Sequence, residues 1–407
     1  MGFIHKLSRY IKHHGFKGLI KKSTGSVAYR VKKQLNKKEH QKQLENILTE
    51  HADKEIIVYI SPVPWNLPLY QRPHHIALNL AKSNYVYFYC TSDPVKDKLN
   101  GFKKLADSCY LTNQQDILLN IPNKKIIHLY STDMRNVETI YKKVKSNSDR
   151  ILYEYIDELH KDITGDIPDY VFANHKKILK DEENCIVIAS ADKLLSDVKS
   201  QRTKNYGLVT NGVDFNHFNK IERTAIPKEI QSLIEKKKPI IGYFGAFASW
   251  FDYELVLKLA TERPNYEVLL IGWDYDKSIV KYKLDIIQNI TVIGPIEYSF
   301  LPKYSKYFDI STIPFKINEV TESTSPVKLF EYMAMGKPIV TTDMQECRKY
   351  KSVLIGRNQE EFIKGIDEAL ELKNSVEYLN VLKEEALENT WESKAGKIKR
   401  ACLINEI

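Results

Sequence analysis

Cysteine is scarce in this chain: five in 407 residues, at positions 90, 109, 185, 347 and 402. The number is odd, the spacing is wide and no Cys-x-x-Cys pair occurs. Neither a disulfide framework nor a cysteine zinc site is expected, and a reducing cytosol fits best. Long apolar runs are missing as well. No stretch reaches the roughly 18 apolar residues of a membrane-spanning helix, and no apolar segment follows the basic N-terminus as in a secretory leader. Met1-Gly2 opens a myristoylation pattern, but Lys6 stands where a serine or threonine belongs. Acid is what the N-terminus lacks most. Residues 1–40 hold 11 Lys and Arg against one acid, Glu39. Taking these from the totals of 61 and 52 leaves 50 basic and 51 acidic side chains in residues 41–407. The formal charge of +9 is therefore a basic head on a neutral body. A neutral body lacks the basic field of a nucleic-acid-binding domain, so no nucleic-acid partner is expected. A basic head suits an anionic membrane surface.

Within that head, Phe3, Ile4, Leu7 and Ile11 share one helical face, with Lys6, Arg9 and Lys12 off it. Val27, Val31 and Leu35 make a weaker second stripe. An amphipathic basic helix would place its stripe in the headgroup boundary and its lysines on anionic lipid; a solvated helix packed on the body is the alternative. The remainder is an ordinary globular composition, 43% hydrophobic and 28% charged, without repeats or low-complexity tracts. Its length suggests two domains.

From Glu55 the pattern alternates. Strands are expected over Ile56–Ser61, Tyr85–Cys90, Lys125–Tyr130, Ile151–Ile156, Ile186–Ala189 and Gly207–Thr210, with helices over Arg72–Ala81 and Ala191–Val198. Asn219–Pro239 reads as a linker or peripheral helix. Strands resume at Ile240–Phe244, Glu267–Ile271, Ile290–Ile293, Ile310–Pro314 and Pro338–Thr342, with helices at Tyr253–Thr261, Leu301–Tyr307, Pro326–Met335 and Glu360–Leu372. Alternation of this kind implies βαβ units and parallel sheets, with ligand crevices at the carboxyl ends of the strands. We divide the chain into a basic extension (1–50), a first Rossmann-like domain (51–220), a second (221–385) and a C-terminal helix (386–407).

The segment from Thr321 to Pro338 carries the most chemistry. Ser325 reads as an N-cap and Pro326 as the first helical residue, while Gly336 supplies the stop. The helix start at Ser325, Val327 and Lys328 is an anion site by its N–H groups and dipole. Lys328 and Glu331 are three apart and share a face. An ammonium can meet a phosphate while a carboxylate accepts two hydrogen bonds from a sugar diol. A plain i,i+3 salt bridge on a capped helix is the alternative.

Glu331 followed by Tyr-Met-Ala-Met-Gly-Lys-Pro resembles the nucleotide-binding helix of two-Rossmann-domain (GT-B) glycosyltransferases, family 4 in particular. In that family an E-x7-E pair occurs, and its second Glu holds the donor ribose. Here the first position is Ser323, with Glu322 one residue off. Thr210-Asn211-Gly212-Val213-Asp214 resembles the segment closing the first domain, and Ile241-Gly242-Tyr243-Phe244-Gly245-Ala246 the first strand and glycine turn of the second. The family commonly places a cation just after that turn; this chain has Ser249-Trp250-Phe251-Asp252. The loop Gly294–Tyr298, with Pro295 and Ile296, occupies the place where the family holds the base. Pro64-Trp65 and Tyr70-Gln71-Arg72-Pro73-His74-His75 are similar to the family 4 subgroup that contains the teichuronic acid biosynthesis glycosyltransferase. Arg72 could offer a forked cation to the diphosphate, or it could cap a carbonyl or pair an acid. Asp157 resembles an acceptor-side position; its alternative is a loop acid capping the next segment. His74 and His75 diverge on a helix, so a two-His metal site is not expected. His128, inside an apolar strand, reads as a core histidine. Asp274-Tyr275-Asp276 matches the D-x-D metal signature of the other glycosyltransferase fold, GT-A, but two Rossmann-like halves argue against it.

The resemblance implies a retaining glycosyltransferase, and no metal or cofactor is expected, because helix N–H groups and cations can stabilise the leaving diphosphate. Its donor would be a nucleotide-sugar and its acceptor a polyprenyl-linked or other glycan, reached from the inner face of the membrane through residues 1–40. A non-catalytic partner protein and a GT-B epimerase are the alternatives.

Overall fold

A computed structural model describes residues 35–67, 70–131, 137–160, 166–220 and 225–403. The amphipathic stripe from Phe3 to Ile11 and the positions Val27 and Val31 lie outside them. The chain forms two compact units: Met1–Leu67 with Leu80–Ile151, and Pro68–Asn79 with Leu152–Ile407.

In the first unit, strands β1 (Glu55–Ile60), β2 (Tyr85–Cys90), β3 (Phe102–Ala106), β4 (Cys109–Thr112) and β5 (Lys125–Tyr130) lie in the order β3-β4-β2-β1-β5. All neighbours are parallel except the β3–β4 hairpin. The unbroken apolar runs of β1 and β2 are buried on both faces, as parallel sheets require. The helix Lys37–Glu50 buries Leu44 and Ile47 against Ile56, Val58, Val86 and Phe88. The last part of the basic extension is therefore packed structure. The Asp97 carboxylate accepts from the N–H groups of Trp65 (2.9 Å) and Asn66 (2.7 Å) and from Thr91 Oγ1, which pins the loop after β1. His128 Nδ1 lies 2.9 Å from Tyr87 Oη in the sheet interior, where a core histidine belongs.

In the second unit, β6 (Arg150–Tyr155, its first two residues falling in the first unit), β7 (Cys185–Ala189) and β8 (Tyr206–Leu208) precede a six-stranded parallel sheet. That sheet is made of β9 (Ile240–Phe244), β10 (Glu267–Ile271), β11 (Ile290–Ile293), β12 (Ile310–Ile313), β13 (Ile339–Thr342) and β14 (Val353–Gly356). Its order is β11-β10-β9-β12-β13-β14. The order runs outward in opposite directions from β9 and β12, the switch point at whose carboxyl ends doubly wound sheets place their ligands. Gly242 in β9 has no Cβ because one would lie 2.1 Å from the Phe308 ring. Ile230 and Leu233, within the stretch read as a linker, form short helical turns buried in this core.

Strands β3, β4 and β14 and the helices Val137–Asn147, Asp169–Lys180 and Val376–Glu388 were not expected from periodicity. The three strands have four or five residues, and β3 and β14 are only partly buried, too short for alternation to register. The C-terminal helix spans Trp391–Leu403.

Candidate functional site

The site is built at the β9–β12 switch. β9 runs into Gly245, whose φ of +147° is open to glycine alone. A Cβ there would meet Lys328 Cε at 2.8 Å and Tyr243 Oη at 2.9 Å. The close approach that glycine permits is thus that of the Lys328 side chain, which brings a cation to a turn whose following residues supply none. Ala246 gives its carbonyl to Tyr243 Oη at 2.8 Å.

Lys328 comes from the helix Val327–Ala334, which follows β12 and a short helix, Glu319–Glu322. Asn318 caps that short helix in a capping box with Thr321. Ser325 is not the N-cap of the longer helix, and Pro326 is not its first residue. Pro326 itself occupies the cap position with extended backbone, and helical geometry starts at Val327. The Ser325 hydroxyl is taken by a longer-range bond: it accepts from Asn211 N–H at 3.2 Å, while Asn211 Nδ2 donates to the Ser325 carbonyl at 2.6 Å. Gly336, at φ +63°, ends the helix as expected, with Lys337 N–H bonded to the Tyr332 carbonyl.

Lys328 Nζ stands 5.5 Å from the centre of the Tyr243 ring and 4.7 Å from that of Phe315. Glu331 is buried at 6% exposure. Burial lifts its carboxyl to about 8, opposed by Lys328, and burial lowers the Lys328 ammonium to about 8, opposed by Glu331. Burial thus brings both groups into the range near neutrality. Ser323, at the position of the first family glutamate, is buried and donates to the Glu319 and Val320 carbonyls at 3.0 Å.

Arg72 opens the helix Arg72–Ala81 and is 3% exposed. Nε pairs with Glu154 Oε2, and Nη1 donates to the Thr210 carbonyl (3.0 Å) and Asn211 Oδ1 (3.3 Å). Nη2 is buried and has no hydrogen-bond partner among the described residues. The guanidinium thus caps a carbonyl, pairs an acid and retains one donor. Asp157, half-buried after β6, is pushed up to about 6 by burial, with Arg72 pulling the other way.

Pro295 is exposed after β11, and Ile296 packs on the core of the second unit. Tyr298 closes this loop. Its ring stacks on Tyr70 (5.6 Å) and on His217 (4.5 Å), and His217 Nε2 lies 2.9 Å from its carbonyl. His74 Nδ1 accepts from Gln71 N–H at 3.2 Å, while the His75 ring lies parallel to Trp391 at 4.9 Å. Asp276 accepts from the N–H groups of Ser249 (2.8 Å) and Ser278 (3.0 Å), so the D-x-D carboxylate holds a turn.

Lys394 escaped the sequence reading. It donates to Thr210 Oγ1 and Asn389 Oδ1, both at 2.6 Å. A signal existed: Trp391, Ala395, Ile398 and Cys402 form a helical apolar stripe, and Lys394 falls inside it.

Residues 226–389 match the family described as Glycosyl transferases group 1. A curated relative, TuaH of Bacillus subtilis, named for teichuronic acid biosynthesis as a glycosyltransferase, is 22% identical over 258 residues. That match covers 60% of this chain and 64% of TuaH. Among solved structures, the sucrose-phosphate synthase of Thermosynechococcus elongatus superposes with a TM-score of 0.63 at 13% identity, over 86% of this chain and 100% of that one. HepE of Anabaena, in complex with UDP and glucose, gives 0.62 at 12%, over 86% and 99%. These are GT-B folds, and the present chain has that fold. The GT-A reading of Asp274–Asp276 is thereby excluded.

Proposed function

We propose that this GT-B-fold chain, whose residues 226–389 match the group 1 glycosyl transferases, moves a sugar from a nucleotide-sugar to a glycan or polyprenyl-linked acceptor. The observation that carries this is the convergence of Gly245, Lys328 and Glu331 at the β9–β12 switch. Glu331, whose carboxyl is lifted to about 8 by burial, gives up its proton as the donor binds and then accepts from the ribose diol as a carboxylate. Lys328, the helix start at Val327 with the Ser325 hydroxyl ahead of it, and the remaining donor of Arg72 meet the diphosphate. The loop with Pro295 and Ile296 takes the base, and the turn at Gly245 and Ala246 leaves room beside the phosphates. HepE, as a fold neighbour holding UDP and glucose, supports this reading.

The leaving nucleoside diphosphate develops charge, and preformed cations and N–H dipoles stabilise it without a metal. Asp157, with its carboxyl near 6, is ionised at neutral pH and serves as the acceptor-side base or hydrogen-bond acceptor. The family resemblance supports a reaction that retains anomeric configuration. The basic head holds the enzyme at the cytoplasmic face of a membrane, beside a lipid-linked acceptor in cell-surface polysaccharide synthesis.

A panel of nucleotide-sugars, each tested for its effect on the melting temperature, checks the reading. The correct donor raises it, Glu331→Ala abolishes the rise, and activity with lipid-linked glycans survives a chelator. If no nucleotide-sugar stabilises the protein, the reading falls. The buried Ser323 in place of a family glutamate favours one alternative, a partner protein that binds the donor but does not turn it over. Donor binding without nucleotide release across the acceptor panel would establish that instead.

A further inference from the structure

Lys394 is 1% exposed on the apolar stripe of the helix Trp391–Leu403. A lysine in such a place needs partners. Its ammonium has the Thr210 hydroxyl and the Asn389 side-chain carbonyl at 2.6 Å, and it lies 5.4 Å from the centre of the Phe330 ring. Main-chain bonds reinforce the junction: Val213 N–H donates to the Asn389 carbonyl, and Trp391 N–H to the Val213 carbonyl, both at 3.0 Å.

What Lys394 holds is the dipeptide Thr210-Asn211. The Thr210 carbonyl and Asn211 Oδ1 receive Arg72 Nη1, and Asn211 binds Ser325, just ahead of the Lys328–Glu331 helix. One amine is therefore one bond from a dipeptide that touches both the guanidinium and the start of that helix. Its electrostatic surroundings do not favour it. Burial first, and then the like charges of Lys397, Arg72 and Lys349, bring its ammonium down to about 7, with Glu346 opposing them. An apolar side chain there would remove a buried charge held against like charges, which offsets the donor that Asn389 Oδ1 loses. What the lysine adds is a fixed geometry.

We propose that Lys394 is a positioning residue for the diphosphate subsite, holding Thr210-Asn211 so that Arg72 keeps its fork and presents its unshared Nη2. This rests on the donor-site reading above.

The test uses the full chain with UDP, GDP, ADP and dTDP and the matching monophosphates as probes, by calorimetry and thermal melting. The nucleoside diphosphate that binds wild type most tightly should bind Lys394→Met about tenfold more weakly. The monophosphate of the same base should bind unchanged, and Lys394→Met should melt close to wild type. Arg72→Lys should show a similar selective loss, and adding Lys394→Met to it should cost no more than twofold further. Unchanged diphosphate binding by Lys394→Met overturns the proposal. So does an equal loss of mono- and diphosphate together with a lower melting temperature, which marks a plain structural role. Losses that multiply in the double variant also overturn it. If no nucleotide binds wild type, the donor-site reading fails first. If Arg72→Lys binds as wild type while Lys394→Met is weakened, the donor site stands and the route through Arg72 is wrong.

Discussion

Glu331→Gln separates what this carboxylate does for the fold from what it does for the ligand. Burial lifts the carboxyl from its ordinary 4.5 to about 8. At about 1.4 kcal/mol per pH unit, ionising it in place costs on the order of 5 kcal/mol. The sign follows from the proton count. Between pH 4.5 and 8 the folded protein keeps a proton that the unfolded chain releases, so stability falls as pH rises through that window. Glutamine carries no such proton. The variant should therefore match wild type near pH 5 and melt higher at pH 8.5. At roughly 2–4 °C per kcal/mol for a domain of this size, a gain of about 5–10 °C is expected after allowing for relaxation. Donor binding should move the other way. A carboxylate accepting from a diol makes charge-assisted bonds of about 1.5–3 kcal/mol, so the nucleotide-sugar should bind roughly 10- to 150-fold more weakly. Binding to wild type at pH 7 should also release a proton from Glu331, visible as a buffer-dependent calorimetric enthalpy that the variant lacks. Thermal melts at the two pH values and calorimetry in two buffers complete the assay. A variant no more stable than wild type at pH 8.5, or one that binds the donor as tightly, refutes the reasoning.

Gly245→Ala should cost about 1–3 kcal/mol of stability, because φ is +147° there. The new methyl would also push Lys328 aside, so donor affinity should fall in a titration while the mononucleotide is held as before. Truncation ahead of Leu35 removes nine basic residues and no acid, yet spares the packed helix Lys37–Glu50. Binding to anionic liposomes should be lost and nucleotide binding kept; liposome binding that survives sinks the tether. Burial holds His175 near 4, below its ordinary 6.5. The unfolded chain therefore binds the extra proton between those values, and stability should drop as pH falls from 6.5 to 4. His175→Phe should flatten that part of the melting-temperature profile.

Continuous apolar runs such as Tyr85–Cys90 and Ile240–Phe244 were legible because a strand buried on both faces must be apolar at every position. The helix carrying Lys328 and Glu331 was legible because Gly336 and Pro338 punctuate its end, and because three residues of spacing put both groups on one face. Short-range rules reached no further. Ser325 has the chemistry of a cap, yet Asn211, more than a hundred residues away, claims its hydroxyl. Sequence alone thus determined that the chain is two parallel α/β sheets behind a basic head, with an acid and an amine at one helix start. Only the tertiary structure decided that Lys328 lies over Gly245, that Arg72 is shared among Glu154, Thr210 and Asn211, and that Lys394 is buried beside them. Those contacts join residues distant along the chain, and their protonation depends on burial, which appears only when the chain closes around them.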